Sequence, residues 1–206
     1  MTGVAFTGFR HFPGVPDNPS QRLIEALRNE RLPALAQASF HLLDTAYETA
    51  PQDVAAILSR RPTALVMTGY SAIANGLKIE TAATNMRSRR FADASGFRPA
   101  DAEHAPVRID AAKIDFTALE KALQRNAIAH HLSNDAGEYV CNHAYFCALS
   151  HPNPPGAGIP TVFVHLPAIA GSELARSSAS EMALPEMVRA MAVLAETISQ
   201  PGGSRG

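Results

Sequence analysis

Ser133-Asn134-Asp135-Ala136-Gly137-Glu138-Tyr139-Val140-Cys141-Asn142-His143-Ala144-Tyr145 is the stretch on which the reading of this chain turns. It follows a β-prone run, Ala127 to Leu132, and leads into a helix expected to continue to about Ser150. Ser133, Asn134 and Asp135 favour turns and helix starts, and Gly137 lets the backbone bend sharply. With the helix beginning near Tyr139, Cys141 falls in its first turn. There the unpaired N–H groups and the positive end of the helix dipole favour a thiolate. A thiolate is the nucleophilic form of cysteine, and a nearby base would complete an acyl-transfer site. The plainer alternative is a cysteine that only packs in the core.

Strands alternate with helices on both sides of it, without an internal repeat. Upstream, Val4 to Thr7 reads as a buried strand stopped by Gly8, followed by a Pro/Gly loop holding two aromatics, Phe9 and Phe12. These either staple the loop to the core or wall a ligand pocket at the carboxyl end of the strand. Asn18 then caps a helix with Pro19 in its first turn and an apolar stripe of Leu23, Ile24 and Leu27. Phe40 to Leu43, Ala64 to Thr68 (stopped by Gly69) and Ile73 to Thr81 read as strands. Pro51 to Arg60 and Phe116 to Arg125 read as helices, and Pro99 to Val107 as a loop or short strand. Downstream come a loop from His151 to Gly158, a strand Thr161 to Val164 leading to His165, and a last helix, Met182 to Ile198. Strands alternating with helices imply a three-layer α/β/α sandwich about a mostly parallel central sheet, a mixed sheet being compatible with the pattern. One domain is expected over residues 1–200, with 201–206 a frayed tail.

A chain of 206 residues with 46% hydrophobic and 18% charged residues has an ordinary globular composition. A net charge of -1 gives no electrostatic footprint for nucleic acid or an acidic membrane. No apolar run approaches the roughly 20 residues that span a bilayer, and the N-terminus lacks a secretory pattern. The two cysteines, Cys141 and Cys147, would lie about 9 Å apart along one helix, too far for a bridge. Free thiols suit a reducing cytoplasm.

Glu80, Cys141 and His165 each stand at or just after a strand end. Such ends converge on one edge of an α/β sheet, so a Cys–His pair oriented by a carboxylate becomes accessible. The bland readings are a solvated strand-end carboxylate and a satisfied strand-end histidine. A metal site at His143, Cys147 and His151, spaced i, i+4 and i+8, is the rival. It lacks a fourth ligand at zinc spacing, and Pro152 ends the helix. No glycine-rich phosphate loop is present, so neither metal nor cofactor is expected.

Several stretches together resemble the pyroglutamyl peptidase I family, also called pyrrolidone-carboxylate peptidases. Thr7-Gly8-Phe9-Arg10-His11-Phe12 with Asn18-Pro19-Ser20 is similar to the family's N-terminal signature. Ala136 to Asn142, followed by Tyr145, is similar to its nucleophile motif. Phe163-Val164-His165-Leu166-Pro167 resembles the histidine motif, and Glu80 with Ala83 and Asn85 matches the glutamate motif in part. The resemblance implies a cofactor-free cysteine exopeptidase that releases an N-terminal pyroglutamyl residue from peptides. It implies Cys141 as nucleophile, His165 as base and Glu80 as its orienting partner. Arg90 and the Cys141 backbone N–H would hold the oxyanion. Phe9, Phe12, Asn18, Gly69, Tyr139 and Val140 would bind substrate: a flat neutral lactam asks for an aromatic slot and a few amide-matching hydrogen bonds. Members are often oligomeric, so a homo-oligomer accords with the resemblance, although the sequence shows no interface signature.

The chain departs from the family pattern around Glu80 and in the first loop. Ala72-Ile73-Ala74-Asn75-Gly76-Leu77 stands where Gly-Gly-Arg is usual, and His11 and Val15 break the Pro-Phe-Gly-Gly pattern. Lys78 replaces a small hydroxyl residue, and Thr81 stands where Arg or Lys follows the glutamate. Losing that cation is expected to alter how the carboxylate is held. The alternative functions are a thiol amidohydrolase with another small cyclic or amide substrate, and a non-catalytic relative that binds a peptide or lactam.

Overall fold

Buried apolar runs bounded by turns build the central layer. The structure, a computed structural model, describes residues 3–100, 105–152 and 158–199. In chain order these form β1 (Ala5–Phe9), α1 (Pro19–Asn29), β2 (Ser39–Leu43), α2 (Thr49–Ser59) and β3 (Leu65–Tyr70). Next come β4 (Leu77–Glu80), β5 (Ala82–Thr84), β6 (Arg108–Asp110), α3 (Phe116–Arg125), β7 (His130–Ser133) and α4 (Val140–Ser150). The chain ends with β8 (Thr161–Leu166), β9 (Ala168–Ile169), β10 (Glu181–Met182) and α5 (Leu184–Ser199). The expected tail, and parts of the expected 99–107 and 151–158 loops, lie outside the described residues.

Six strands form the main sheet in the order β2-β1-β3-β8-β4-β7. The strands β2, β1, β3 and β8 run parallel. β4 is antiparallel to β8 and parallel to β7. The sheet is therefore mostly parallel and mixed. Strands β1, β3 and β8 are buried on nearly every residue, as strands covered on both faces must be.

Each face has its own core. On one, Phe6, Val66, Val162, Val164, Leu77 and Ile79 meet Leu23, Ile24 and Leu27 of α1, Leu119 and Leu123 of α3, and Met187, Met191 and Leu194 of α5. On the other, Ala5, Leu65, Met67 and Phe163 meet Val54, Ile57 and Leu58 of α2 and Val140, Ala144, Tyr145 and Ala148 of α4. Helix α1 starts where the sequence places it: Asn18 Oδ1 accepts from the Ser20 amide at 3.0 Å, with Pro19 in the first turn.

Several elements differ from expectation. β1 and β3 run through Gly8 and Gly69, which were expected to stop them, to Phe9 and Tyr70. β7 begins at His130, not Ala127, because Ala127 takes a positive φ of 53° just after α3. β4 begins at Leu77, not Ile73, because the chain turns at Gly76 with φ +74°. A β-carbon there would stand 2.6 Å from the Ala129 carbonyl oxygen, and Ile73 is left exposed before the turn. The last helix begins at Leu184 because Glu181 and Met182 pair with Ala168 and Ile169.

Candidate active site

The turn before α4 does what its residues favour. Asp135 Oδ1 accepts from the Gly137 amide at 2.9 Å, and Gly137 takes the left-handed φ of +78°. Tyr139 is the N-cap of α4 and makes no side-chain cap bond. The first amides of the helix, around Cys141, therefore lack a capping side chain.

Sheet register brings the other residues to this end. In the β3–β8 ladder Gly69 pairs with His165. Gly69 also abuts the nucleophile candidate: a β-carbon on it would lie 2.8 Å from Cys141 Sγ and 2.9 Å from the Phe163 ring. Only glycine fits between strand and thiol. Glu80 pairs with Phe163 and Lys78 with His165 across the antiparallel β4–β8 ladder. Alternation then puts Lys78, Glu80, Phe163, His165 and Gly69 on one face. From there Glu80 Oε1 reaches His165 Nδ1 at 2.7 Å, and Tyr145 on α4 donates to the Glu80 backbone carbonyl at 3.0 Å.

Glu80 is fully buried. Burial pushes its carboxyl up, but the hydrogen bond and charge of His165, with Ser133 and Lys78 beside it, more than offset this and hold it below the ordinary glutamate value. The cation missing at Thr81 is not restored at that position, but another stands beside the carboxylate: Lys78 Nζ lies 3.0 Å from Glu80 Oε1. The Cys141 thiol behaves in the opposite sense to the expectation from its helix position. Burial pushes it up to about 12, with its own backbone N–H pulling down and the Glu80 charge pushing up. Desolvation outweighs the helix end, although Cys141 is only half-buried by exposure. Among the described residues no hydrogen bond joins Sγ to the imidazole.

The remaining candidates divide. Phe12 and Tyr139, with ring centroids 6.2 Å apart, line a cavity of about 670 Å³ together with Pro13, Phe91, Asp93 and Arg98. Tyr139 also donates to the Ala92 carbonyl at 2.8 Å. Phe9 and Val140 are instead buried in the core, Phe9 against Phe163 with centroids 6.5 Å apart. Asn18 is buried and fixes the first loop, donating to the Arg10 carbonyl at 3.1 Å. Arg90 is exposed, its guanidinium 5.2 Å from the centroid of Phe91, and is not among the residues lining the cavity.

Sequence reasoning gave no role to two anchors. Asn142 is fully buried, accepting from the Thr84 amide and donating to the Thr84 and Met86 carbonyls, each at 2.9 Å. Asp93 ties the cavity rim: Oδ1 accepts from Ser95 and the Phe97 amide, and Oδ2 from the Tyr47 amide. The Asp93-Ala94-Ser95 step, an Asx-turn signature, was the available signal. Among the described residues no three His, Cys, Asp or Glu side chains are grouped to hold a metal ion, and no helix is long and apolar enough to cross a membrane.

A family model described as pyroglutamyl peptidase matches residues 2–201. A pyrrolidone-carboxylate peptidase from Thermococcus kodakarensis is 33% identical over 170 residues, covering 80% of this chain and 80% of that protein. Pyrrolidone-carboxylate peptidase 1 of Streptococcus pneumoniae is 27% identical over 209 residues, covering 95% and 92%. The crystal structure of pyroglutamyl peptidase I from Bacillus amyloliquefaciens matches with a TM-score of 0.84 over 98% of each chain at 21% identity, a likeness of fold.

Proposed function

Because the chain belongs to the pyroglutamyl peptidase family, we propose that it removes an N-terminal pyroglutamyl residue from peptides by thiol acyl transfer, with Cys141, His165 and Glu80 as the reacting set. The observation that carries the residue assignment is the 2.7 Å link from His165 Nδ1 to Glu80 Oε1, made where Gly69 touches Cys141 Sγ.

With Nδ1 committed to Glu80, the other ring nitrogen of His165 is left to exchange protons with the thiol. It takes the thiol proton as Sγ bonds to the carbonyl carbon of pyroglutamate. The resulting oxyanion is met by the Cys141 amide and its neighbours at the start of α4; Arg90, exposed against Phe91, is not placed to take part. The carbon–nitrogen bond of the scissile amide then breaks, and the imidazolium protonates the departing amine. Water, deprotonated by the same imidazole, cleaves the thioester, frees pyroglutamate and restores the thiol. A thiol raised by burial fits this sequence, because the proton moves only as the new bond forms.

The lactam ring is neutral, so its recognition calls for aromatic walls and a few amide-matching polar contacts. Phe12 and Tyr139 supply such walls at the cavity. A reducing cytoplasm is the compartment that suits two unpaired thiols.

The deciding experiment is hydrolysis of a pyroglutamyl-aminocoumarin amide by the protein and by Cys141→Ala under reducing conditions. Turnover that vanishes in the variant is expected. A folded parent that leaves this substrate intact but cleaves other small amides would place the specificity elsewhere. One that cleaves neither would be a binding protein.

A further inference from the structure

Lys78 occupies a position that no part of the mechanism above requires, yet it is built into the same site. Its side chain is 14% exposed. Its Nζ lies 3.0 Å from Glu80 Oε1 and donates to the Asp135 carbonyl at 2.6 Å. Asp135 belongs to the turn that presents Cys141. One ammonium thus touches the carboxylate that orients the histidine and the loop that carries the nucleophile, and Lys78 itself faces His165 across the β4–β8 ladder.

We propose that Lys78 is a positioning residue of the catalytic site, its ammonium clamping Glu80 to the turn before Cys141 and keeping Glu80 ionised while His165 is neutral. The inference rests on the thiol-peptidase reading and deepens it. A fully buried carboxylate is costly unless charge and hydrogen bonds compensate it. Oε2 has no hydrogen-bond partner, and the Ser133 hydroxyl, which lies near enough to help lower the carboxyl, donates to the Asp135 carbonyl and brings no charge. The two charge-bearing partners, His165 and Lys78, both meet Oε1. A neutral imidazole offers that oxygen only an uncharged N–H. In the state in which His165 can accept a proton, Lys78 is the source of positive charge on Glu80.

Among the described residues, the charged and titratable groups facing Glu80 are Lys78 on its own strand, His165 on β8, and Cys141 and Tyr145 on α4. The two on α4 can contribute only negative charge. With Lys78 removed, the pair of Glu80 and His165 neutralises itself by holding a proton on the imidazole. The base is then already occupied at a pH where the parent is active.

The test uses the full chain with Lys78→Met, which keeps the stem and removes the charge, beside Lys78→Thr and Lys78→Arg. In Lys78→Met, kcat is expected to fall about tenfold with KM held within about twofold. The acid limb of kcat/KM moves up by about half a pH unit or more, and Lys78→Arg keeps the parental limb. Nitrogen-15 spectra of labelled histidine, which need no turnover, should show the imidazole bonded to Glu80 taking up its proton at higher pH in Lys78→Met. A folded Lys78→Met with parental kcat and an unmoved imidazole titration overturns the proposal. If Lys78→Met does not fold, Lys78→Thr is read in the same way, and failure of both to fold makes Lys78 a structural residue and overturns it too. A parent that does not cleave the pyroglutamyl substrate sinks the peptidase reading alone, since the spectra still decide Lys78.

Discussion

A β-carbon built on Gly69 would stand 2.8 Å from the Sγ of Cys141. Strand and thiol are packed as closely as a glycine permits. The atoms on the other side are the Phe163 ring, which is itself buried, so neither neighbour yields freely. Gly69→Ala is expected to displace the thiol, lowering kcat by about a hundredfold while costing about 1–3 kcal/mol of stability through overpacking. Steady-state kinetics and urea denaturation measure the two effects. Near-parental kcat would mean that Sγ does not sit against this strand.

Replacing Glu80 by Gln removes the charge that orients His165 and is expected to lower kcat by about 10²–10⁴. The variant also changes how stability depends on pH. The folded-state pKa of Glu80 lies below its unfolded value. Its ionisation therefore stabilises the fold above the unfolded value, and that contribution is lost as pH falls through the folded value. Denaturation curves of parent and variant should differ most near neutrality and converge in acid. A gap that widens as the pH drops would reverse the sign assigned to Glu80.

With its thiol pushed up to about 12, Cys141 should be alkylated by iodoacetamide ever faster as pH rises past 9, with no plateau near neutrality. Mass spectrometry separates it from Cys147, whose thiol is also raised by burial. A plateau below pH 8 would mark a resting thiolate, the form the helix position alone suggests.

Asn142→Ala should strand the Thr84 amide and two carbonyls in a buried place, at a cost of about 1–3 kcal/mol. The segment leading to Arg90 hangs from those bonds. Loss of kcat/KM should exceed any loss of Cys141 alkylation at equal fraction folded. Equal losses would assign Asn142 to the thiol rather than to the rim.

The two first-loop aromatics should part company. Phe12→Ala is expected to raise KM with little change in stability. Phe9→Ala, emptying a core position against Phe163, should cost about 3–5 kcal/mol. Chemical denaturation with parallel kinetics tests both, and matching effects would return Phe9 to the substrate wall.

Local chemistry was legible wherever it was local. Asn18 and Pro19 marked their helix start, Phe116 to Arg125 is helical over the expected span, and Gly137 bends where its neighbours ask for a turn. The direction of β4 was not legible, because a four-residue strand carries no mark of its polarity. Glu80 consequently joins the site through a diagonal of an antiparallel ladder, whereas its expected route was a shared edge of strand ends. Lys78 read as the loss of a familiar side chain, and its reach to Glu80 depends on which strand faces it. The thiol was misjudged for a related reason: the helix start is written in sequence, while the burial that outweighs it is assembled from β3, β8 and α4.

The strand order β2-β1-β3-β8-β4-β7 also has a consequence for biosynthesis. β8 is among the last strands translated, yet it inserts at the centre. Until it arrives, β2-β1-β3 and β4-β7 are two half-sheets with no ladder between them, and Glu80 waits for a histidine 85 residues further along the chain. Domains form as synthesis proceeds, and such long-range pairing is slow to close. A ribosome-stalled chain ending before Thr161 would carry Cys141 without His165, so the proposed reacting set cannot assemble until the sheet is whole.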